Sequence, residues 1–353
     1  LSFADATVNA LDALGVMAKL CAPTGAITRI HVSRRGDFGR ARLAAAEYGR
    51  EAFGRVVVAR DFGEALEARL GELQRLTRYR PARFVGLGAG DDEARVLRIA
   101  DDGGERELHA RLLVAADGTG SNVRAALGIE ADHHDYLQTL FVARLRAARA
   151  PDGTAYERLG DDGPTALLPR GDRHFGLVHG VAREQAAQVQ ALDDAAFLER
   201  IQAAFGWRVG RFQSVGVRSV YPAIRTVARS TIAPRAVLVG NAAQTLHPIG
   251  AQGFNLGLRD ALTLAELIER RGGDPGAPGL LAEHAGRRQE DRARTLAMSD
   301  GLARLTANDA PLLRPLRSIG LFALDRVPSA QALLVGGAMG YRGHVPALCR
   351  KAS

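Results

Sequence analysis

Cysteine is nearly missing from this chain: Cys21 and Cys349 are the only two in 353 residues, without a CxxC between them. That pattern offers neither a disulfide framework nor a zinc site, and a reducing compartment is the expectation. Aromatic residues make up only 5%, with a single tryptophan, which argues against binding nucleic acid by base stacking. No apolar run approaches the ~20 residues that span a bilayer. The longest, such as Leu112 to Ala116 and Ala332 to Val335, are the size of a strand or a short helix. No basic stretch followed by an apolar one opens the chain, so no secretory signal is visible and a cytoplasmic location is expected.

What is present is glycine, 40 residues of it, with 46% hydrophobic and 24% charged residues. At roughly 150 residues per domain, the length suggests one large domain or two intimate ones. The net charge of +8 comes almost entirely from arginines interspersed with acids. Such a surface suits an anionic cofactor, an acidic membrane or nucleic acid alike.

Periodicity predicts a helix over Ser2 to Val16, with Phe3, Val8, Leu11 and Leu14 on one face and Gly15 as its stop. Short strands are expected at Ile27 to Val32, Ala41 to Ala44 and Val56 to Val58, then a helix Gly63 to Leu73 capped by Asp61. Phe84 to Leu87, Ala94 to Ile99 and Glu107 to Leu108 read as a small antiparallel set. Arg111 to Ala116 reads as a strand buried on both faces, as in a parallel sheet. From about Ala131 to Tyr221 the alternation predicts a separate antiparallel sheet, with strands at Thr139 to Leu145, Thr165 to Leu168, His174 to Val181 and Arg211 to Tyr221 and a helix near Asp194 to Phe205. Ala236 to Val239 is again a buried strand, followed by helices from Asn255 to Arg270 and around Leu280 to Leu305.

Two stretches can carry chemistry. In the first, a buried strand ends at Gly240-Asn241, the turn His247-Pro248-Ile249-Gly250-Ala251-Gln252 follows, and a helix starts at Gly253-Phe254-Asn255. Backbone N–H groups at such a helix start suit an anion or an electron-rich ring edge. Gly240 lets backbone approach a ligand, and Asn241 offers an amide. Glycines serving turn geometry alone are the alternative. In the second stretch, Asp117-Gly118-Thr119-Gly120-Ser121-Asn122-Val123-Arg124, Asp117 follows a buried strand. It could hold a ligand or simply cap the helix behind it, and taken alone the cap is the better account.

Together and in this order, the stretches resemble fingerprints of the FAD-dependent aromatic hydroxylases, D-G-x-x-S-x-x-R and the later G-D/N-A-A-H/Q…H-P…G-Q-G-x-N run. By that resemblance Asp117, Gly118, Ser121 and Arg124 lie at the flavin ribose and the pyridine nucleotide. Gly240 and Asn241 meet the ribityl and pyrophosphate part, and His247, Pro248, Gly250, Ala251, Gln252, Gly253, Phe254 and Asn255 form the turn over the flavin ring. One departure places a Cβ at Ala251, against the flavin face. Further segments, Ile30-His31-Val32-Ser33-Arg34-Arg35-Gly36, Ala204-Phe205-Gly206-Trp207-Arg208, Arg218-Ser219-Val220-Tyr221-Pro222 and Arg287-Arg288-Gln289-Glu290-Asp291-Arg292, are similar to the ubiquinone-pathway hydroxylases of the UbiH-like, 2-polyprenyl-6-methoxyphenol subgroup.

The resemblance implies an α/β fold: an FAD-binding Rossmann-like domain over 1–130 and 226–305, interrupted by an antiparallel substrate domain over 131–225, with a helical C-terminus over 306–353. It implies FAD as cofactor, NADPH or NADH as electron donor, O2 as co-substrate and ring hydroxylation of a prenylated methoxyphenol. A sister hydroxylase acting at another ring position, or a non-catalytic subunit of the quinone-synthesis complex, is the alternative. No protein nucleophile is required, and no catalytic base is identifiable in the sequence. The family's opening G-x-G-x-x-G turn is absent; Gly86-Leu87-Gly88-Ala89-Gly90 reads as a hairpin turn because Asp91 replaces the third glycine. The resemblance thus starts after the first βαβ unit, and roughly 40 to 50 N-terminal residues are expected to be missing.

Blander readings cover the rest. His133-His134-Asp135 reads as a solvated loop without a third metal ligand. For His247, a structural hydrogen bond and a role in binding weigh equally. Pro311 to Val335, with Leu312, Leu313, Leu316, Ile319, Leu321 and Phe322 beside Arg314, Arg317 and Arg326, admits peripheral contact with an anionic inner-membrane surface or a partner helix. Core packing with a basic solvent face is the favoured account of it.

Overall fold

A computed structural model describes residues 1–37, 39–306, 318–320, 322, 325–327, 331 and 335–351. Of the segment 311–335, Leu312, Leu313, Arg314, Leu316, Arg317 and Leu321 lie outside the described residues. Ile319 and Phe322 in that segment are exposed, and the Arg326 guanidinium stacks over the Phe322 ring.

The fold is mixed α/β. Its centre is a nine-stranded, largely antiparallel sheet in which the long strand Ala131–Ala147 pairs with Phe175–Ala182 on one side and Ser219–Ala228 on the other. Phe141, Leu145, Leu167, Phe175 and Leu177 project from one face and pack against the helix Asp194–Phe205. That helix repeats Phe197, Ile201 and Phe205 every four residues, and the Asp193 carboxylate caps it by accepting from the Ala196 N–H at 2.8 Å.

The sheet expected over 131–225 extends beyond that span. Thr154–Leu159, a strand the alternation did not reveal, pairs in parallel with Arg29–Arg34, whose hairpin partner Arg40–Ala44 forms the far edge. At the other edge, Gln244–Thr245 joins Ser219–Ala228. The span 211–221 divides into Phe212–Val215 and Ser219–Ala228. His133-His134-Asp135 lies on a strand and not in a loop, with His133 Nδ1 bonded to the Thr226 hydroxyl.

A second, parallel element pairs Leu113–Ala115 with Ala236–Leu238. The helices Gly253–Arg271 and Pro278–Thr306 pack on it through Leu264, Leu267, Leu280 and Leu281. Leu113 and Ala115 are buried, but Val114 between them is 42% exposed, so only one face of this strand is covered. The three-stranded antiparallel sheet Arg83–Leu87, Arg95–Asp101 and Gly104–Ala110 matches expectation, and Gly88 sits in its hairpin.

Two N-terminal expectations are corrected. Ser2–Ala4 is a strand paired with Gly54–Val56, and the helix is Asp5–Ala13. The helix Ala59–Gly71 begins before Asp61, whose carboxylate accepts instead from the Cys21 and Ala22 N–H groups at 3.0 and 3.1 Å. A long-range demand for acceptors outcompetes the local cap.

Candidate functional site

The strands Leu113–Ala115 and Ala236–Leu238 end side by side, each running into a glycine-rich turn and then a helix. In the first turn Asp117 acts as a cap, accepting from the Ser121 hydroxyl at 2.5 Å and the Val123 N–H at 3.1 Å. Ser121 accepts from the Arg124 N–H at 2.9 Å. Buried Arg124 then reaches across to the Ala242 carbonyl at 2.8 Å and back to Thr119 O at 3.0 Å. The Thr119 and Thr245 hydroxyls close the contact at 2.8 Å. Two motifs more than a hundred residues apart are therefore one structure.

Gly240, at φ +59°, allows close approach of the helix Gly253–Arg271. Its N–H donates to Asp260 at 3.3 Å, and Asp260 also accepts from Gln244 Nε2 at 2.7 Å. Asn241 is exposed and free to meet a ligand. His247 is buried and pinned: the Ile249 N–H donates to Nδ1 at 3.2 Å, so the proton sits on Nε2 and is donated to Gln138 Oε1 at 3.1 Å. Burial lowers its pKa to about 4, which makes it a neutral brace.

Pro248 and Gly250 are exposed on the turn, and Ala251 adopts the left-handed conformation, φ +51°, that a residue with a Cβ resists. Asn255 ties the turn to the first strand by donating to Ser2 O and accepting from the Ala4 N–H. Phe254 stacks on Phe3 with centroids 5.0 Å apart. Gln252 donates to Gly250 O and Ala338 O, while its Oε1 is buried without a partner.

Between this turn and the central sheet lies a cavity of about 130 Å³. Ile30, Ala155, Ala166, Leu168 and Val178 form its sheet wall, and Pro248 to Gln252 form the opposite wall. Glu157 is the only carboxylate among the described residues lining it. Burial pushes its pKa up to about 7. Sequence reading missed Glu157 because Thr154–Leu159 was not read as a strand. No alternation marks that strand, because Tyr156, Glu157 and Arg158 are all half-buried whichever face they take.

A carboxylic acid whose folded-state pKa is raised costs stability as pH rises from its unfolded value to its folded one. Glu157→Gln is therefore expected to match the wild type in thermal unfolding near pH 4.5 and to become the more stable chain by pH 7. The gain should be at most about 3 kcal/mol and level off above that pH. Equal melting temperatures at pH 8 would show that water reaches the carboxylate.

The residues fit a dinucleotide flavin. The two turns meet at the carboxyl ends of a parallel strand pair, where α/β folds bind nucleotides. A Cβ added at Gly118, Gly120 or Gly250 would meet nothing within 4 Å, so open space lies over each. Asn241 and the orphaned Gln252 Oε1 could bond the cofactor or its ring. This is the architecture of a flavoprotein monooxygenase of the aromatic-hydroxylase class.

The chain belongs to the FAD-binding domain family, whose sequence pattern matches residues 2–297. It is 35% identical over 290 residues to the ubiquinone hydroxylase UbiL of Rhodospirillum rubrum, covering 81% of this chain and 67% of that protein. It is 30% identical over 269 residues to the 3-demethoxyubiquinol 3-hydroxylase of Escherichia coli, covering 74% of this chain and 66% of the relative. The fold is shared with p-nitrophenol 4-monooxygenase from Pseudomonas putida at a TM-score of 0.78 and 15% identity, over 97% of this chain and 89% of that one.

Proposed function

We propose that this protein hydroxylates the ring of a polyprenyl methoxyphenol in ubiquinone biosynthesis, using NADPH or NADH as electron donor and O2 as co-substrate. The observation that carries the reading is the apolar cavity walled on one side by the turn 248–252 and on the other by the central sheet. In this reading Asp117, Gly118, Ser121 and Arg124 with Gly240 and Asn241 hold the dinucleotide, and the turn His247 to Asn255 lies against the flavin ring. Residues 1–130 and 226–305 supply the cofactor domain apart from the strands Arg29–Arg34, Arg40–Ala44 and Gln244–Thr245, which join the central sheet, and 131–225 contribute most of the substrate wall.

FAD supplies the redox and oxygen chemistry when bound. The chain's own residues exclude water, orient the phenol and aim the two turns at the cofactor. No helix among the described residues is long and apolar enough to cross a membrane. A prenyl-tailed substrate therefore implies peripheral contact with the inner membrane.

The test begins with an FAD titration followed by fluorescence quenching. The loaded protein is then given a prenylated methoxyphenol, NADPH and O2, and the product is examined by mass spectrometry. A product heavier by one oxygen on the ring is expected, and its position separates sister hydroxylases. Consumption of NADPH without a hydroxylated product overturns the assignment. A protein that binds no FAD fits a non-catalytic subunit of the quinone-synthesis complex.

A further inference from the structure

We infer that Glu157 is the base that accepts the proton of the substrate's phenolic hydroxyl; the inference rests on the phenol-hydroxylase reading above. Glu157 stands in the middle of the strand Thr154–Leu159, opposite Val32 on one neighbouring strand and Ala166 on the other. Its side chain shares the cavity with Ile30, Ala166 and Val178 and with the turn Pro248 to Gln252. A phenol ring placed against that turn lies in the same space as the carboxylate.

Other charged groups near it are committed elsewhere. Arg34, on the adjacent strand, is buried against Asp37 and Asp161. Arg158 and Arg208 donate to the Ser33 hydroxyl, on the opposite face of the sheet from Glu157. His179 is bonded to the Thr165 hydroxyl, and His247 is held neutral by its own bonds. A carboxylate left without a counter-ion in an apolar cavity is costly, and a phenolic O–H is the donor that relieves it.

The step balances. The phenol O–H bond breaks, its electron pair stays on oxygen, and the proton forms an O–H bond on Glu157. One negative charge is present in the cavity before and after, so proton transfer buries no additional charge. The phenolate is the more electron-rich ring for oxygen attack, and the carboxylic acid can return the proton to the product oxygen. A pKa of about 7 places the base form within reach at neutral pH.

The probe is 2-methoxyphenol, titrated calorimetrically into the FAD-loaded protein at pH 6 and pH 8. Binding is expected to tighten about tenfold at the higher pH, following ionisation of Glu157. Glu157→Gln should bind with the same affinity at both pH values, and Glu157→Asp should restore the dependence. In single turnover, Glu157→Gln should slow hydroxylation about 10²–10⁴-fold. A wild-type affinity that ignores pH, or a Glu157→Gln variant that keeps the dependence, overturns the inference while leaving the hydroxylase reading intact. Failure to bind FAD sinks the hydroxylase reading itself, and failure to bind 2-methoxyphenol at either pH sinks both.

Discussion

Asp291→Ala is expected to destabilise the fold by about 3–5 kcal/mol, the largest loss of stability of any single substitution proposed for this protein. Asp291 is wholly buried and accepts from Arg259 Nε at 2.7 Å, Arg259 Nη2 at 3.2 Å and Arg288 Nη2 at 2.7 Å. Arg259 is itself 0% exposed and Arg288 3%. Removing the carboxylate leaves Asp260 as the remaining carboxylate paired with Arg288, and strands the Arg259 charge in the interior. Asp260 also receives the Gly240 N–H and the Gln244 amide, so the network ends at the turn of the proposed flavin site. Denaturant unfolding measures the loss, and a change below about 1 kcal/mol would mean that water or backbone movement rescues the stranded guanidinium.

The same network sets an acid limit. Burial alone would raise the pKa of Asp291, but Arg259 and Arg288 outweigh it and hold the carboxyl below its ordinary range. A folded-state pKa below the unfolded one stabilises the protein at neutral pH. That contribution is lost as pH falls through the unfolded and then the folded value.

Gly257→Ala is expected to cost about 1–3 kcal/mol and to weaken FAD binding by about tenfold or more. A Cβ at Gly257 would stand 2.7 Å from the Gly240 Cα. The atom it meets is backbone, and an alanine Cβ has no torsion that could swing it aside. Either the helix Gly253–Arg271 or the turn at Gly240 must move, and each carries residues of the proposed flavin site. Gly286→Ala is the control, because its Cβ would meet nothing within 4 Å on the helix Pro278–Thr306. It should leave FAD binding unchanged. Equal FAD affinity in Gly257→Ala would show that the helix-to-turn approach is not what positions the cofactor.

Much of the fold was legible because it is written in local patterns. Helix Asp194–Phe205 follows from an Asp cap and apolar residues four apart, and Gly206, at φ +89°, ends it. The two glycine-rich stretches were recognisable because turns need glycine wherever backbone must bend or approach closely. Their meeting was not legible, since the bonds from Arg124 to Ala242 and from Thr119 to Thr245 join residues 118 and 126 positions apart.

What the sequence determined by itself is the order of strand, glycine turn and helix, together with the class of ligand such turns suit. Only the tertiary structure decided which polar residues went inside. Arg259 and Asp291 occupy the polar positions of helices whose pattern gives no sign of burial, and each is stable there because the other is close. Glu157 lies in a strand whose parallel partner, Arg29–Arg34, comes more than a hundred residues earlier, so its place in the cavity is fixed by long-range pairing. Local periodicity encodes which way a side chain points relative to its neighbours. What it points into is set by segments distant in sequence, whose contacts form only when the chain folds.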